Sequence, residues 1–291
     1  MKKKIKINKT IIFCLFIFYL ISILSISSTL NYLPETLNNL VIKQTIFYIL
    51  GIILIFIMIN IDLNILINKA KYIYLLNVFL LLLVLLIGTE TNGIKAWFYI
   101  PIFGSFQPSE FMKISLILFL AEIINKNRKS EQCDFKLIIK CLIITLIPSI
   151  LTFLEPDTGA VIVYFVILIV MLFVSGINLK WFIYFIFLGI LGLGSILYLY
   201  LYKQDLFISI FGSSLFYRLD RLFDFVNLNG MQLTNSIISI SSSGIFGHGI
   251  NNIPIYFPEL QTDFIFASFT SCFGLFGSII LILTIFIFDK E

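Results

Sequence analysis

Two strings in this 291-residue chain gather charge beside apolar sequence: Gln107-Pro108-Ser109-Glu110-Phe111-Met112-Lys113 and Thr262-Asp263-Phe264-Ile265-Phe266-Ala267. Each sets fixed charges at the mouth of a long apolar segment. Charge there is costly unless it faces a cavity or a partner, which makes these residues functional candidates. The polar set grouped with them is Lys95, Glu110, Lys113, Asp157, Arg218, Asp220, Arg221, Asp224, Glu259 and Asp263. Cations and carboxylates at helix ends suit an anionic ligand in a lipid leaflet, since arginine holds a phosphate bidentately and lysine holds it as a point charge. A positioned carboxylate can take the proton of an attacking hydroxyl. Together these parts suit transfer from a lipid pyrophosphate donor.

Plainer readings stay open beside this one. Glu110 and Lys113 lie three apart and can simply pair on one helix turn. Asp157 follows Pro156 and precedes Thr158-Gly159, where it can cap a helix. Arg218 and Arg221 can anchor lipid headgroups. The stretch Ser241 to Gly249 is glycine-rich but lacks the strand–turn–helix setting of a nucleotide loop. His248 reads as a loop residue.

Such charges need elements to position them, and the composition makes those elements membrane helices. The chain is 59% hydrophobic and 12% charged, against about 25% charged for a soluble domain. Apolar runs at 11–30, 42–60, 72–88, 108–124, 137–154, 159–176, 181–202 and 263–288 give eight expected spans, each near the ~20 residues a bilayer requires. The fourth is interrupted by Glu110, Lys113 and Glu122. Five lysines in the first ten residues, five basic residues in segment 125–140, and Lys69, Lys71, Lys180 and Lys290 place 14 of the 20 basic residues on one side. The positive-inside bias makes that side cytoplasmic, with both termini. The first apolar run has no small-residue cleavage site and reads as a retained helix. Segments 31–41, 89–107, 155–157 and 203–262 then face outward. The long 203–262 segment is expected to hold short amphipathic helices near the outer leaflet. The net charge of +4 follows topology and does not imply nucleic acid. One His and four scattered Cys form no zinc or disulfide framework. Membrane lipids are the first expected partners.

The chain resembles the SEDS proteins of bacterial cell-wall synthesis (RodA, FtsW, SpoVE). Lys43-Gln44 opens the second helix as it does in that family, and Asn92-Gly93-Ile94-Lys95-Ala96-Trp97 is similar to its Asn-Gly-Ala-Arg-Arg-Trp loop. Gln107 to Lys113 matches without a gap. Glu155-Pro156-Asp157-Thr158-Gly159 is similar to the Gln-Pro-Asp-Leu-Gly corner, and Gly230-Met231-Gln232-Leu233-Thr234-Asn235-Ser236 to Gly-Tyr-Gln-Leu-Thr-Gln-Ser. Ser243 to Gly249 and Phe257 to Asp263 continue in register. The resemblance implies a ten-helix membrane fold, polymerisation of lipid II (the undecaprenyl-pyrophosphate disaccharide-peptide) and a class B penicillin-binding transpeptidase as partner. It also implies a catalytic aspartate in the large outer loop.

Three departures mark this sequence. The stretch Arg221 to Gln232 is shorter than its family counterpart and contains no Asp-Pro; Asp224 is the nearest carboxylate, although an ungapped count puts Phe225 at that place. The family's Gly-Glu-Glu is Thr270-Ser271-Cys272 here. The two final helices do not follow. The expectation is therefore one all-α SEDS-like transmembrane domain over 1–291, incomplete at its C-terminus, in the bacterial cell membrane. It is read as a peptidoglycan glycosyltransferase of division or cell-shape maintenance, with a non-catalytic transpeptidase scaffold and a precursor flippase as alternatives. Asp224 is the candidate base. Lys95, Glu110, Lys113, Asp157, Arg218, Arg221, Gln232, Ser236, Glu259 and Asp263 are the candidate substrate contacts, and Glu110, Lys113, Asp157 and Asp263 are expected to line one outward cavity. No cofactor is assigned with certainty; a divalent cation is the single candidate kept open.

Overall fold

A computed structural model describes residues 8–33, 39–91, 94–100, 104–129, 134–213, 215–217, 219–220 and 230–291. The expected Arg218, Arg221 and Asp224, the Asn92-Gly93 pair and Cys133 lie outside the described residues. The chain divides into two compact units, 61–198 and the remainder.

The unit 61–198 begins with the short helix α3 (Leu63–Asn68) and carries α4 (Ala70–Ile87), α5 (Pro108–Lys129), α6 (Asp134–Leu154), α7 (Thr158–Val174) and most of α8 (Leu179–Tyr202). On α5 the buried positions Ser109, Met112, Leu116, Leu120 and Ile123 recur every three or four residues and form one stripe. On α7, Ala160, Tyr164, Leu168 and Leu172 recur every four. These stripes meet Tyr74 and Leu81 of α4 and Leu137, Ile138 and Cys141 of α6 in a single core. In lipid such a core is held by close packing and internal hydrogen bonds more than by escape from water. One bond explains how α6 tolerates Pro148 in its interior. Proline has no N–H to give the carbonyl four residues earlier. The Tyr74 hydroxyl donates to that carbonyl, Ile144 O, at 2.7 Å.

Segment 89–107, expected to face outward, forms a three-stranded antiparallel sheet of β1 (Thr89–Thr91), β2 (Ile94–Ile100) and β3 (Gly104–Phe106) in that order. Phe98 stacks on Phe106, and Phe106 packs at a tilt against Phe111 of α5. The sheet thereby fixes the chain just before Gln107.

The other unit contains α1 (Lys9–Thr29), α2 (Leu40–Ile59), α9 (Gln204–Phe211), α10 (Met231–Ser242) and α11 (Ile265–Lys290). The Asn8 amide donates to the Glu291 carboxylate at 2.7 Å, so both ends of the described chain lie together. Gln44 of α2 donates to Ser22 of α1 at 2.7 Å. Helix α11 is broken at Gly274, whose φ of 66° and ψ of −163° are not helical. A break inside a membrane helix frees backbone groups that protein must satisfy. The glycine-rich stretch does this: His248 N–H donates to Ser271 O and Gly249 N–H to Cys272 O. In return Leu275 N–H donates to Gly244 O and Phe276 N–H to Ile245 O, all at 2.9–3.1 Å. Gly247 and Gly274 touch backbone to backbone. A Cβ on Gly247 would meet Cys272 O at 2.3 Å, and one on Gly274 would meet Gly247 N at 2.4 Å.

All eight expected helices are present. Six are long and apolar enough to cross a membrane by themselves; α7 has 17 residues, and α5 carries the charges noted above. No residue of α2 and only Tyr200 of α8 is buried within the chain, as suits faces turned to lipid. The protein is a multi-pass membrane protein.

Candidate functional site

The unit 61–198 brings its candidates together where α5 and α7 begin and α6 ends. Asp157 occupies the N-cap of α7, and its Oδ1 accepts the Ala160 N–H at 3.1 Å. The capping reading therefore holds, but the second oxygen does more. Asp157 Oδ2 accepts from Gln107 Nε2 at 2.8 Å and from Ser109 Oγ at 3.3 Å. Tyr164 donates to Ser109 O at 2.9 Å and lies 3.4 Å from Thr152 Oγ1. A single carboxylate thus ties the start of α5 to the start of α7, two elements 50 residues apart in sequence.

Glu110 and Lys113 pair at 2.7 Å. They sit one residue off the buried stripe Ser109–Met112–Leu116, so the helix turns them out of the core. Glu110 is 56% and Lys113 26% exposed. The pair is not a buried ion pair, and its charges remain available on the surface of the unit. Lys95 has a structural engagement: its ammonium donates to Leu86 O at 3.0 Å, satisfying a carbonyl in the last turn of α4.

Beside Asp157 lies Glu155, which sequence reasoning did not single out. It is fully buried, and neither carboxylate oxygen has a hydrogen-bond partner among the described residues. Burial, and then the neighbouring Asp157 carboxylate, push its pKa up to about 8. The available signal was an acid next to a proline at the end of an apolar helix. What makes it unusual, the absence of any partner, is invisible without the fold.

The remaining candidates belong to the other unit. Gln232 is exposed on α10, and Ser236, one turn on, is buried and donates to Leu233 O at 2.7 Å. Glu259 is exposed and accepts from Thr262 Oγ1 at 2.9 Å and from Gln261 Nε2 at 3.2 Å. Asp263 is exposed just before α11. It does not share a unit with Glu110, Lys113 and Asp157. Asp220, at the edge of the described loop, accepts from the Tyr200 hydroxyl at 2.7 Å. Among the described residues no three His, Cys, Asp or Glu side chains converge to offer a divalent cation a ligand set.

Comparison with known proteins decides the family. The Cell cycle protein family of FtsW, RodA and SpoVE matches residues 6–289. The chain belongs to this family. The FtsW/RodA/SpoVE relatives include a probable peptidoglycan glycosyltransferase FtsW of Wigglesworthia glossinidia brevipalpis. It is 32% identical over 98% of this chain and 75% of its own length. The probable FtsW of Haemophilus influenzae is 36% identical over 72% of this chain, which spans 52% of that protein. Stage V sporulation protein E of Bacillus subtilis is 31% identical over 83% of this chain and 64% of its own length. Among solved structures, a chain from a study of polymerization and crosslinking by a peptidoglycan synthase complex superposes with a TM-score of 0.72. It is 23% identical and covers 97% of this chain and 76% of its own. RodA of Thermus thermophilus superposes at 0.62, 22% identical, over 99% of this chain and 74% of its own. The fold is that of the family.

Proposed function

We propose that this FtsW/RodA/SpoVE-family protein is a peptidoglycan glycosyltransferase that joins lipid II units into glycan strands at the outer face of the cell membrane. The observation that carries the reading is the family match over residues 6–289, joined to relatives named as peptidoglycan glycosyltransferases. In such a transfer an acceptor sugar hydroxyl attacks the donor sugar, a base takes its proton, and the lipid pyrophosphate leaves. The Lys113 ammonium supplies a point charge for a pyrophosphate oxygen, with Glu110 orienting it. Asp157 orients the start of α5 through Gln107 and Ser109. Arg218, Arg221, Gln232, Ser236, Glu259 and Asp263 remain proposed contacts, and Asp224 the proposed base. We also propose a cytoplasmic N-terminus and a penicillin-binding transpeptidase as partner.

The test is glycan-strand formation from labelled lipid II by purified protein, alone and with a co-expressed transpeptidase. Wild-type protein gives polymer, and Asp224→Ala lowers the rate by ~10²–10⁴ if it is the base. Equal polymer from both removes Asp224. Binding of lipid II without polymer would replace this reading with that of a non-catalytic scaffold.

A further inference from the structure

We propose that Glu155 is a proton-binding site: the α6–α7 corner holds it as a neutral acid, and its ionisation opens the corner that Asp157 closes. The argument rests on placement. Glu155 is 0% exposed, and among the described residues both its oxygens lack a partner. An ionised carboxylate in that position must be neutralised or hydrated, because an unpaired buried charge is far costlier than a buried neutral acid. Among the described residues no cation bonds either oxygen. Lys113 on α5 is paired with Glu110, and Lys95 on β2 donates to Leu86 O. Other titratable groups among the described residues are Glu110 on α5, which holds Lys113, Asp157 in the corner, Tyr164 on α7 and Tyr74 on α4. Asp157 adds repulsion. Tyr164 donates to Ser109 O, and Tyr74 to Ile144 O. The upward shift of Glu155, caused first by burial and then by Asp157, agrees with this placement.

The corner has little slack to hydrate a charge and stay closed. Glu155 N–H donates to Thr152 O and Leu151 O, and Asp157 N–H to Thr152 O. The next residues in the chain carry the Asp157 bonds to Gln107, Ser109 and Ala160. In this proposal water reaches Glu155 by the breaking of these bonds. Opening is thereby coupled to loss of one proton.

The sign follows from linkage. In the open corner Glu155 has an ordinary carboxylate pKa, and in the closed corner it has a raised one. Below the ordinary value both states are protonated. Between the two values only the closed state holds the proton, so closure weakens as pH rises and levels off above about 8. In this window opening grows about tenfold per pH unit.

The experiment is hydrogen exchange of the full-length protein in detergent, read by mass spectrometry on peptides spanning 150–162 and corrected for intrinsic exchange. Between about pH 5 and 7.5 the wild-type opening constant should rise about tenfold per unit. Glu155→Gln, which keeps shape and neutrality, should show no slope. Parallel profiles in the two proteins, or a flat wild-type profile, would overturn the proposal. Should Glu155→Gln fail to accumulate, the wild-type slope alone decides. Infrared titration of carboxyl-labelled wild-type protein adds a second readout. A glutamic acid still protonated at about pH 7 is expected, and full ionisation of every glutamate there would contradict it. Neither readout depends on glycosyl transfer.

Discussion

Replacing Asp157 by alanine removes three bonds at once, and the structure says what each contributes. The N-cap bond to Ala160 N–H at 3.1 Å is worth ~1 kcal/mol. The bonds from Gln107 at 2.8 Å and Ser109 at 3.3 Å involve an ionised acceptor, and such bonds contribute ~1.5–3 kcal/mol when well formed. The longer Ser109 bond belongs at or below the bottom of that range. Asp157 is half-buried, so water or lipid headgroups recover part of the loss. A net destabilisation of ~2–4 kcal/mol is expected for Asp157→Ala. Asp157→Asn keeps an oxygen for the cap, and the Gln107 amide can turn to accept from its new NH₂; its cost should be ~1 kcal/mol. The assay is reversible unfolding in mixed micelles for wild type, Asp157→Ala, Gln107→Ala and the double variant. A coupling energy of ~1–3 kcal/mol between Gln107 and Asp157 is predicted. Additive single effects, or Asp157→Ala within ~0.5 kcal/mol of wild type, would refute the idea that this carboxylate joins α5 to α7.

Glu110→Gln should leave stability within ~0–1 kcal/mol, because its pair with Lys113 is exposed, yet lower strand formation; unfolding and polymer assays on the same preparation separate the two effects. Tyr74→Phe should cost ~1–3 kcal/mol by orphaning the Ile144 carbonyl above Pro148, measured as a lowered unfolding midpoint. Gly274→Ala should cost more than ~2 kcal/mol, because a side chain at φ 66° is strained and its Cβ would enter the 243–249 stretch. Folded yield by size-exclusion chromatography reads that loss. Single cysteines at Asn31 and Asn229 should react with an impermeant maleimide in intact cells while one at Lys129 stays silent; the reverse pattern would invert the proposed orientation.

The helices were legible because long apolar runs bounded by charge have few alternatives in a bilayer. The Glu110–Lys113 pair and the Asp157 cap were legible for a related reason: both depend on spacings of three within one helix turn. Three features were not. The sheet at 89–106 is built from strands of three and seven residues, too short for a clear alternating pattern. The role of Lys95 at the end of α4 depends on where β2 returns. The support of Pro148 by Tyr74 and of the Gly274 break by the Ser243–Gly249 stretch both join segments distant in sequence. Glu155 shows the same limit from the other side. Its residue type and neighbours were in view, but its lack of partners is a property of the packed corner.

Glycosyl transfer is tested most directly by the bond that must break. Purified protein given lipid II should release undecaprenyl pyrophosphate in step with new glycosidic bonds, both counted by mass spectrometry before and after muramidase digestion. The account predicts one pyrophosphate-lipid released per disaccharide joined. Intact lipid II after prolonged incubation with folded, lipid II-bound protein and its transpeptidase would contradict it.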